Sequence, residues 1–156
     1  MKVSLISLGH KMPGWVDSAF QMYNDRLPGH LKIQLIELSP VSRQKGLSVP
    51  QIKDQEASLL EKHLPADAIN IALDERGKAI NTPYVAQQLA DWQMDGRDVN
   101  IVIGGADGLD QRIIRQASQC WSLSKLVFPH QLVRVIIAEQ IYRAHSLLNN
   151  HPYHRE

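Results

Sequence analysis

Apolar positions along the chain switch between a period of two and a period of three to four, and each switch marks an element. Val3, Leu5 and Leu8, with Ile6 also apolar, predict a strand that stops at Gly9. Beyond a loop at His10, Lys11, Met12 and Pro13, the residues Trp15, Val16, Ala19, Phe20, Tyr23 and Leu27 trace one face of a helix closed by Pro28 and Gly29. Leu31, Ile33, Leu35 and Leu38 alternate as a second strand. Ile52, Leu59, Leu60 and His63 or Leu64 return to helical spacing until Pro65. A third strand runs from Ala68 to Leu73 and ends at Asp74, with residues 75–78 as a loop beyond its carboxyl end. Thr82 and Pro83 read as N-cap and first residue of a helix with Val85, Leu89 and Trp92 on its buried face, capped by Gly96. Val99, Ile101, Val102 and Ile103 form a β-branched run that fits a strand buried on both faces. It breaks at Gly104, Gly105 and the Asp107-Gly108 turn, and Leu109, Ile113, Ile114 and Ala117 resume helical spacing. A short fifth strand is expected at residues 125–128, stopped by Pro129, and a last helix from about Leu132 to Leu148.

Strand and helix thus alternate five times, which predicts an α/β fold with a mainly parallel sheet of about five strands and flanking helices. No internal repeat or second domain is visible, so residues 1–156 read as one domain. Ligands of open parallel sheets bind beyond the carboxyl ends of the strands. The glycine loop at 104–108 falls at such an end, where the missing Cβ lets backbone approach a ligand. Its spacing is neither Gly-x-Gly-x-x-Gly nor a phosphate loop with Lys-Ser/Thr, so it is either a ligand cradle of another kind or a plain connection.

Composition narrows the class. Hydrophobic residues at 44% and charged residues at 21% fit a soluble globular protein rather than a disordered chain. A formal net charge of +1 means that any nucleic-acid surface must come from local clustering or assembly. One cysteine, Cys120, excludes an internal disulfide and fits a reducing cytoplasm. Beside Trp121 at the end of a helix, it reads as a packed residue rather than a nucleophile. No signal peptide and no membrane-length apolar run appear. The stretch from Ser39 to Pro50, with Arg43, Gln44 and Lys45 inside it, is either a solvated connection or an arm that meets phosphate. The last helix is apolar around most of its circumference. That implies a surface for a second copy of the chain; the alternative is a helix threaded through its own fold, and the two are compatible.

Several motifs together resemble the RlmH family of ribosomal RNA methyltransferases, small members of the SPOUT class. They are Gly9-His10-Lys11-Met12-Pro13, the run from Trp92 to Asp98, Ile103-Gly104-Gly105-x-x-Gly108-Leu109 and Trp121-Ser122-Leu123-Ser124. The most specific are the block from Pro129-His130 through Arg134 to Glu139-Gln140-x-Tyr142-Arg143-Ala144 and the tail His151-Pro152-Tyr153-His154-Arg155-Glu156. The resemblance spans the whole chain. It implies a homodimer that transfers a methyl group from S-adenosylmethionine to N3 of a pseudouridine in 23S ribosomal RNA, on the assembled ribosome. It also implies a C-terminal trefoil knot around the cofactor pocket, which chain-connection rules would not anticipate. The cofactor positions implied are Leu73, Gly104, Leu123, Ser124, Lys125, Leu126, Val127 and Phe128. No metal is implied, because the sulfonium carries the reactivity.

An imide nitrogen must lose its proton to attack a methyl group, so a base or a nearby cation has a use. His130 is the first candidate. The alternative is a histidine that hydrogen-bonds backbone after Pro129. Arg134 and Arg143 either bind phosphate or pair with an acid across the dimer, Glu139 being nearest in sequence. Tyr153, His154 and Arg155 combine a stacking ring with cationic groups, a mix suited to an unstacked base and its phosphate. Two readings compete with this one: a SPOUT methyltransferase acting on transfer RNA, and a non-catalytic RNA- or nucleotide-binding module on the same fold.

Overall fold

The computed structural model describes residues 1–9, 12–42 and 46–155, with His154 and Arg155 described by backbone alone. Among these residues the elements are β1 (Val3–Leu8), α1 (Gly14–Arg26), β2 (Ile33–Leu38), α2 (Val49–Glu61), β3 (Ile69–Ala79), α3 (Thr82–Asp95), β4 (Val99–Ile103), α4 (Gln111–Gln116), β5 (Gln119–Ser122) and α5 (His130–Leu148). Short 3-10 turns lie at Gly29–Leu31 and Pro152–Arg155. The strands make one five-stranded sheet in the order β2-β1-β4-β3-β5, and every pairing is parallel.

The alternation of side chains divides the core in two. Leu5, Ile71 and Ile101 point with Phe20, Leu89, Trp92 and Ile137 into one cluster, under α1, α3 and α5. Ile6, Ala72 and Val102 point the other way, onto Ala57 and Leu60 of α2 and Ile113 of α4. A sheet covered on both faces explains the unbroken apolar runs. Two of its buried polar residues pair with each other: Asn100 Nδ2 donates to Asn70 Oδ1 at 3.0 Å, and Asn70 Nδ2 to the Pro65 carbonyl at 3.0 Å. Helix ends follow their caps. Ser48 and Gln51 form a reciprocal capping box, Asn81 Oδ1 accepts from Tyr84 N, and Gly96 closes α3 in the left-handed region at φ +84°.

Four local expectations are corrected. The fifth strand is residues 119–122, which hold Cys120 and Trp121, and not 125–128. Strand pairing there is anchored by Trp121, which is buried, stacks on Trp92 at 5.9 Å and meets Tyr84 edge-on. Residues 125–127 are exposed, so their apolar character does not report a core strand. The third strand does not end at Asp74. Trp121 is partnered by both Leu73 and Lys78, so residues 74–77 bulge out and the strand resumes to Ala79. Trp15 is 66% exposed and lies off the buried face of α1, which Val16 and Phe20 supply. Val49 and Pro50 belong to α2, because the capping box starts the helix at Ser48.

Helix α5 packs against both α1 and α3, with Ile137, Ala138, Ile141 and Ala144 buried. It therefore threads its own fold, one of the two readings of its apolar surface. Leu132, Val133, Val135, Ile136 and Tyr142 stay partly open. No described helix is long and apolar enough to cross a membrane.

The bulge depends on Gly77. A Cβ there would lie 2.6 Å from the Cys120 carbonyl carbon and oxygen and 2.7 Å from the Trp121 carbonyl carbon, all backbone atoms that cannot swing aside. Gly77→Ala is expected to lower stability by about 1–3 kcal/mol, the usual cost of overpacking. Urea unfolding monitored by tryptophan fluorescence checks this, and an unchanged midpoint would refute it.

Candidate functional site

At the carboxyl end of the sheet lies a cleft of about 820 Å³. One wall is the glycine loop after β4, from Gly105 to Gly108. The facing wall is the connection from β5 to α5, residues 123–130, and the floor includes Leu73, Ile103 and Trp121. The lining is largely apolar, with Asp74, Glu75, Arg76, Lys125 and His130 adding charge or polarity. A second, smaller cavity of about 300 Å³ lies under the same connection, between α3 and α5. It shares Trp121, Leu123, Ser124 and Phe128 with the cleft but is otherwise lined mainly by aliphatic side chains.

The β3 bulge and the glycine loop are tied by one arginine. Arg76 meets Asp74 through two parallel bonds, Nε to Oδ1 at 2.7 Å and Nη2 to Oδ2 at 3.0 Å. Nη2 also donates to the Leu109 carbonyl at 3.0 Å, and Nη1 to Gln111 Oε1 at 3.0 Å. This fork joins the end of β3 to the loop leaving β4. Burial alone would raise the Asp74 carboxyl, but the hydrogen bonds from Arg76 outweigh it and hold it below its ordinary value. On the opposite side, the buried Glu56 of α2 lies against Gly105 and accepts from Val41 N at 3.3 Å.

The cofactor positions implied by the resemblance fall into two groups. Leu73, Leu123, Ser124, Lys125, Leu126, Val127 and Phe128 line the cleft together. Gly104 is buried behind the loop and shapes it from there. A Cβ on Gly104 would sit 2.7 Å from the Gly108 carbonyl carbon and 2.9 Å from Leu109 N, so this glycine lets the loop fold back on itself. The left-handed φ of +81° at Gly108 completes that turn.

Among the candidate catalytic residues, His130 is the first residue of α5 and lines the cleft. Arg134 does not face solvent. It is fully buried and donates Nη1 to Glu37 Oε2 at 2.8 Å and Nη2 to Ser7 Oγ at 3.1 Å. Arg143 pairs with Glu139 one turn back on its own helix, Nε to Oε1 at 2.8 Å. These two arginines therefore find acids within the chain. Tyr153 folds back onto the same pair: its hydroxyl donates to Glu139 Oε1 at 3.0 Å and its ring lies 4.6 Å from Tyr142 and 5.0 Å from the Arg143 guanidinium. Burial and Glu139 push the Tyr153 hydroxyl well above its ordinary value. Glu139 is nine residues beyond His130 on α5, about 14 Å along the axis at 1.5 Å per residue. Within one chain the tail is thus docked away from the cleft. The side chains of His154 and Arg155, and all of His10, Lys11, Arg43, Gln44, Lys45 and Glu156, lie outside the described residues.

Cys120 sits on β5, not at a helix end, and burial pushes its thiol up. That suits a packed residue rather than a nucleophile. Among the described residues no three His, Cys, Asp or Glu side chains are grouped as metal ligands. Sequence reading missed the Asp74–Arg76 fork. An Asp-x-Arg pair after an apolar strand was its available signal, but only the bulge aims both side chains at the glycine loop.

Comparison with known proteins identifies the family. A family described as predicted SPOUT methyltransferase matches residues 1–154. A protein of Saccharophagus degradans named ribosomal RNA large subunit methyltransferase H is 49% identical over 155 residues, 99% of this chain and 100% of its own length. A protein of the same name from Hydrogenovibrio crunogenus is 48% identical over 156 residues and covers both chains fully. One from Burkholderia lata is 47% identical over 99% of each chain. Among solved structures, a probable methylase family protein from Haemophilus influenzae superposes with a TM-score of 0.60 at 15% identity. That match covers 97% of this chain and 69% of the other, and shows a shared fold.

The Asp74–Arg76 fork is expected to hold the glycine loop in place. Asp74→Asn should speed amide hydrogen exchange at residues 105–109 while leaving β1 unchanged. Because the Asp74 carboxyl is depressed in the folded chain, its contribution is present at neutral pH and is lost as pH falls below the ordinary carboxylate range near 4. Loop exchange, corrected for its intrinsic pH dependence, should therefore rise in that window in the unmodified protein and stay flat in Asp74→Asn. Equal protection in the two proteins would refute the role.

Proposed function

Since the chain belongs to the SPOUT methyltransferase family, within the group of ribosomal RNA large subunit methyltransferases H, we propose that it methylates N3 of a pseudouridine in 23S ribosomal RNA, with S-adenosylmethionine as donor and the assembled ribosome as substrate. The observation that carries this reading is the carboxyl-end cleft. Seven of the eight cofactor positions implied by the family motifs converge on it from β3 and the 123–128 connection, which are far apart in sequence.

The residues present suit that cofactor. Leu73, Ile103, Leu126, Val127, Phe128 and Val133 offer an apolar slot for adenine, with the glycine loop and the 123–128 connection as its walls. Glu75 and Asp107 place negative charge in the cleft lining, favourable to a cationic sulfonium and ammonium. When bound, S-adenosylmethionine supplies an electrophilic methyl group. The chain's own residues must fix the acceptor in line, exclude water and receive one proton. The cleft's apolar slot would hold the donor, which would supply the methyl and leave as a neutral thioether, and the acceptor N3 would have to present a free lone pair to it. The N3 proton passes to His130 or to solvent.

The same reading includes a homodimer and a knotted C-terminal segment. Its supports are the partly open apolar face of α5 and the connection 123–130 sharing one cleft with loop 105–108 before α5 packs on α1 and α3. Tyr153, His154, Arg155 and Arg143 serve the acceptor RNA. Because Tyr153 is docked away from the cleft of its own chain, the second copy is the simplest source of a tail for each cleft. The reading places the protein in the cytoplasm, where ribosomes are assembled.

Two outcomes check it. Purified protein with methyl-labelled S-adenosylmethionine should label assembled ribosomes, with the label on one pseudouridine of 23S RNA. Label on transfer RNA alone, or none anywhere, would refute it. Deleting residues 153–156 should leave cofactor affinity within about twofold and cut methylation by about 100-fold or more, as for loss of a positioned group. Full activity in the truncation would show the tail to be passive.

A further inference from the structure

We propose that Gly9 and Arg134 are positioning residues that set the place of the His130 imidazole at the mouth of the cleft. The proposal rests on the reading of the cleft as the methyl-transfer site and adds the device that holds one of its walls.

The arrangement starts from the register of β1 and β2. Ser7 and Glu37 are direct partners across these parallel strands, near their carboxyl ends. Their side chains share the face covered by α5, and Arg134 bridges them with its two terminal nitrogens. Its guanidinium is fully buried, whereas the Glu37 side chain is 37% exposed. Arg134 Nε has no hydrogen-bond partner among the described residues. A buried cation with an unspent donor is a poor device for stability alone, since an apolar residue would pack there at lower desolvation cost. It does fix direction: a planar fork held at two points leaves α5 little freedom to rotate or slide over the sheet.

His130 is one turn before Arg134 on the same helix, so the fork also sets its height over the cleft. Gly9 then sets its lateral place. The backbone of Gly9 extends the β1–β2 ladder by donating to the Leu38 carbonyl at 3.1 Å. A Cβ on Gly9 would come within 2.8 Å of His130 Nε2, 3.1 Å of His130 Cδ2 and 3.5 Å of Arg134 Nη2. The imidazole therefore rests on bare backbone, in space that any other residue would fill. This explains a glycine that no turn requires. Gly9 is not among the residues with positive φ, so close approach is its reason.

Gly9→Ala is the informative variant, because the atom it collides with is the far end of one side chain and not backbone. The fold should survive, and the imidazole should move. Three readouts separate the possibilities: the His130 Cε1–H resonance, cofactor affinity, and kcat and KM for ribosome methylation. The expected result is a shifted His130 resonance, cofactor affinity within about twofold, and kcat reduced about 10- to 100-fold, the scale of a misplacement near 1 Å. In a His130→Ala background, Gly9→Ala should have no further effect on kcat, as expected for residues acting through one group. Glu37→Gln provides a second route. It keeps an acceptor for Arg134 but removes the charge, and should shift the same resonance by a smaller amount. If neither variant moves the His130 resonance, the positioning proposal is overturned whatever the activity. If the resonance moves while kcat does not, the placement stands and the role of His130 in the reaction is what fails.

Discussion

The constraint that governs this molecule is a parallel sheet buried on both faces. The three inner strands must then be apolar on both sides, as Leu5 with Ile6, Ile71 with Ala72 and Ile101 with Val102 are. Such a sheet leaves chemistry to its ends. All five strands run the same way, so the connections leaving β1, β2, β3, β4 and β5 gather at one edge. The cleft is the space between the bulge in β3 and the connections leaving β4 and β5, and Asp74, Gly105 and Ser122 are among the residues that line it.

Two arginines turn that edge from a set of loops into a fixed site. Arg76 ties the β3 bulge to the glycine loop, and Arg134 ties the ends of β1 and β2 to the start of α5. Each uses a planar fork to join elements distant in sequence. Neither contributes much as a simple ion pair. Arg76 is about half exposed, where solvent screening leaves little net energy, and Arg134 carries a desolvation cost. Their contribution is geometric. The glycines complement them: Gly77, Gly104 and Gly9 each stand where a Cβ would meet the neighbouring wall.

Much of the fold could be read from periodicity. The alternation of five strands and five helices, the buried fourth strand and the cap at Gly96 all follow from local chemistry, whereas the N-cap of α3 is Asn81 and not Thr82, because the Asn81 side chain accepts from Tyr84 N. The fifth strand could not be placed that way. Leu126, Val127 and Phe128 are more apolar than Gln119 and Cys120, yet they are the ones left in the cleft wall. Apolar residues that line a cleft follow the same pattern as core residues, so hydrophobicity alone does not separate the two. The site was legible only through motifs. Composition showed no sign of the Arg134–Glu37 pair, 97 residues apart in sequence, and every arginine reads alike until its partner is placed. The bulge at 74–77 was equally hidden, because its cause is the packing of Gly77 on the backbone of β5.

The central claim is that the carboxyl-end cleft, and not the smaller apolar cavity between α3 and α5, holds the methyl donor. Backbone amide NMR during titration with S-adenosylhomocysteine tests it most directly. Saturable shifts are expected at Leu73, Gly105, Gly108 and residues 123–128, with Asn81, Val85 and Ile136 unmoved. Shifts confined to those last three residues, with the glycine loop silent, would contradict it.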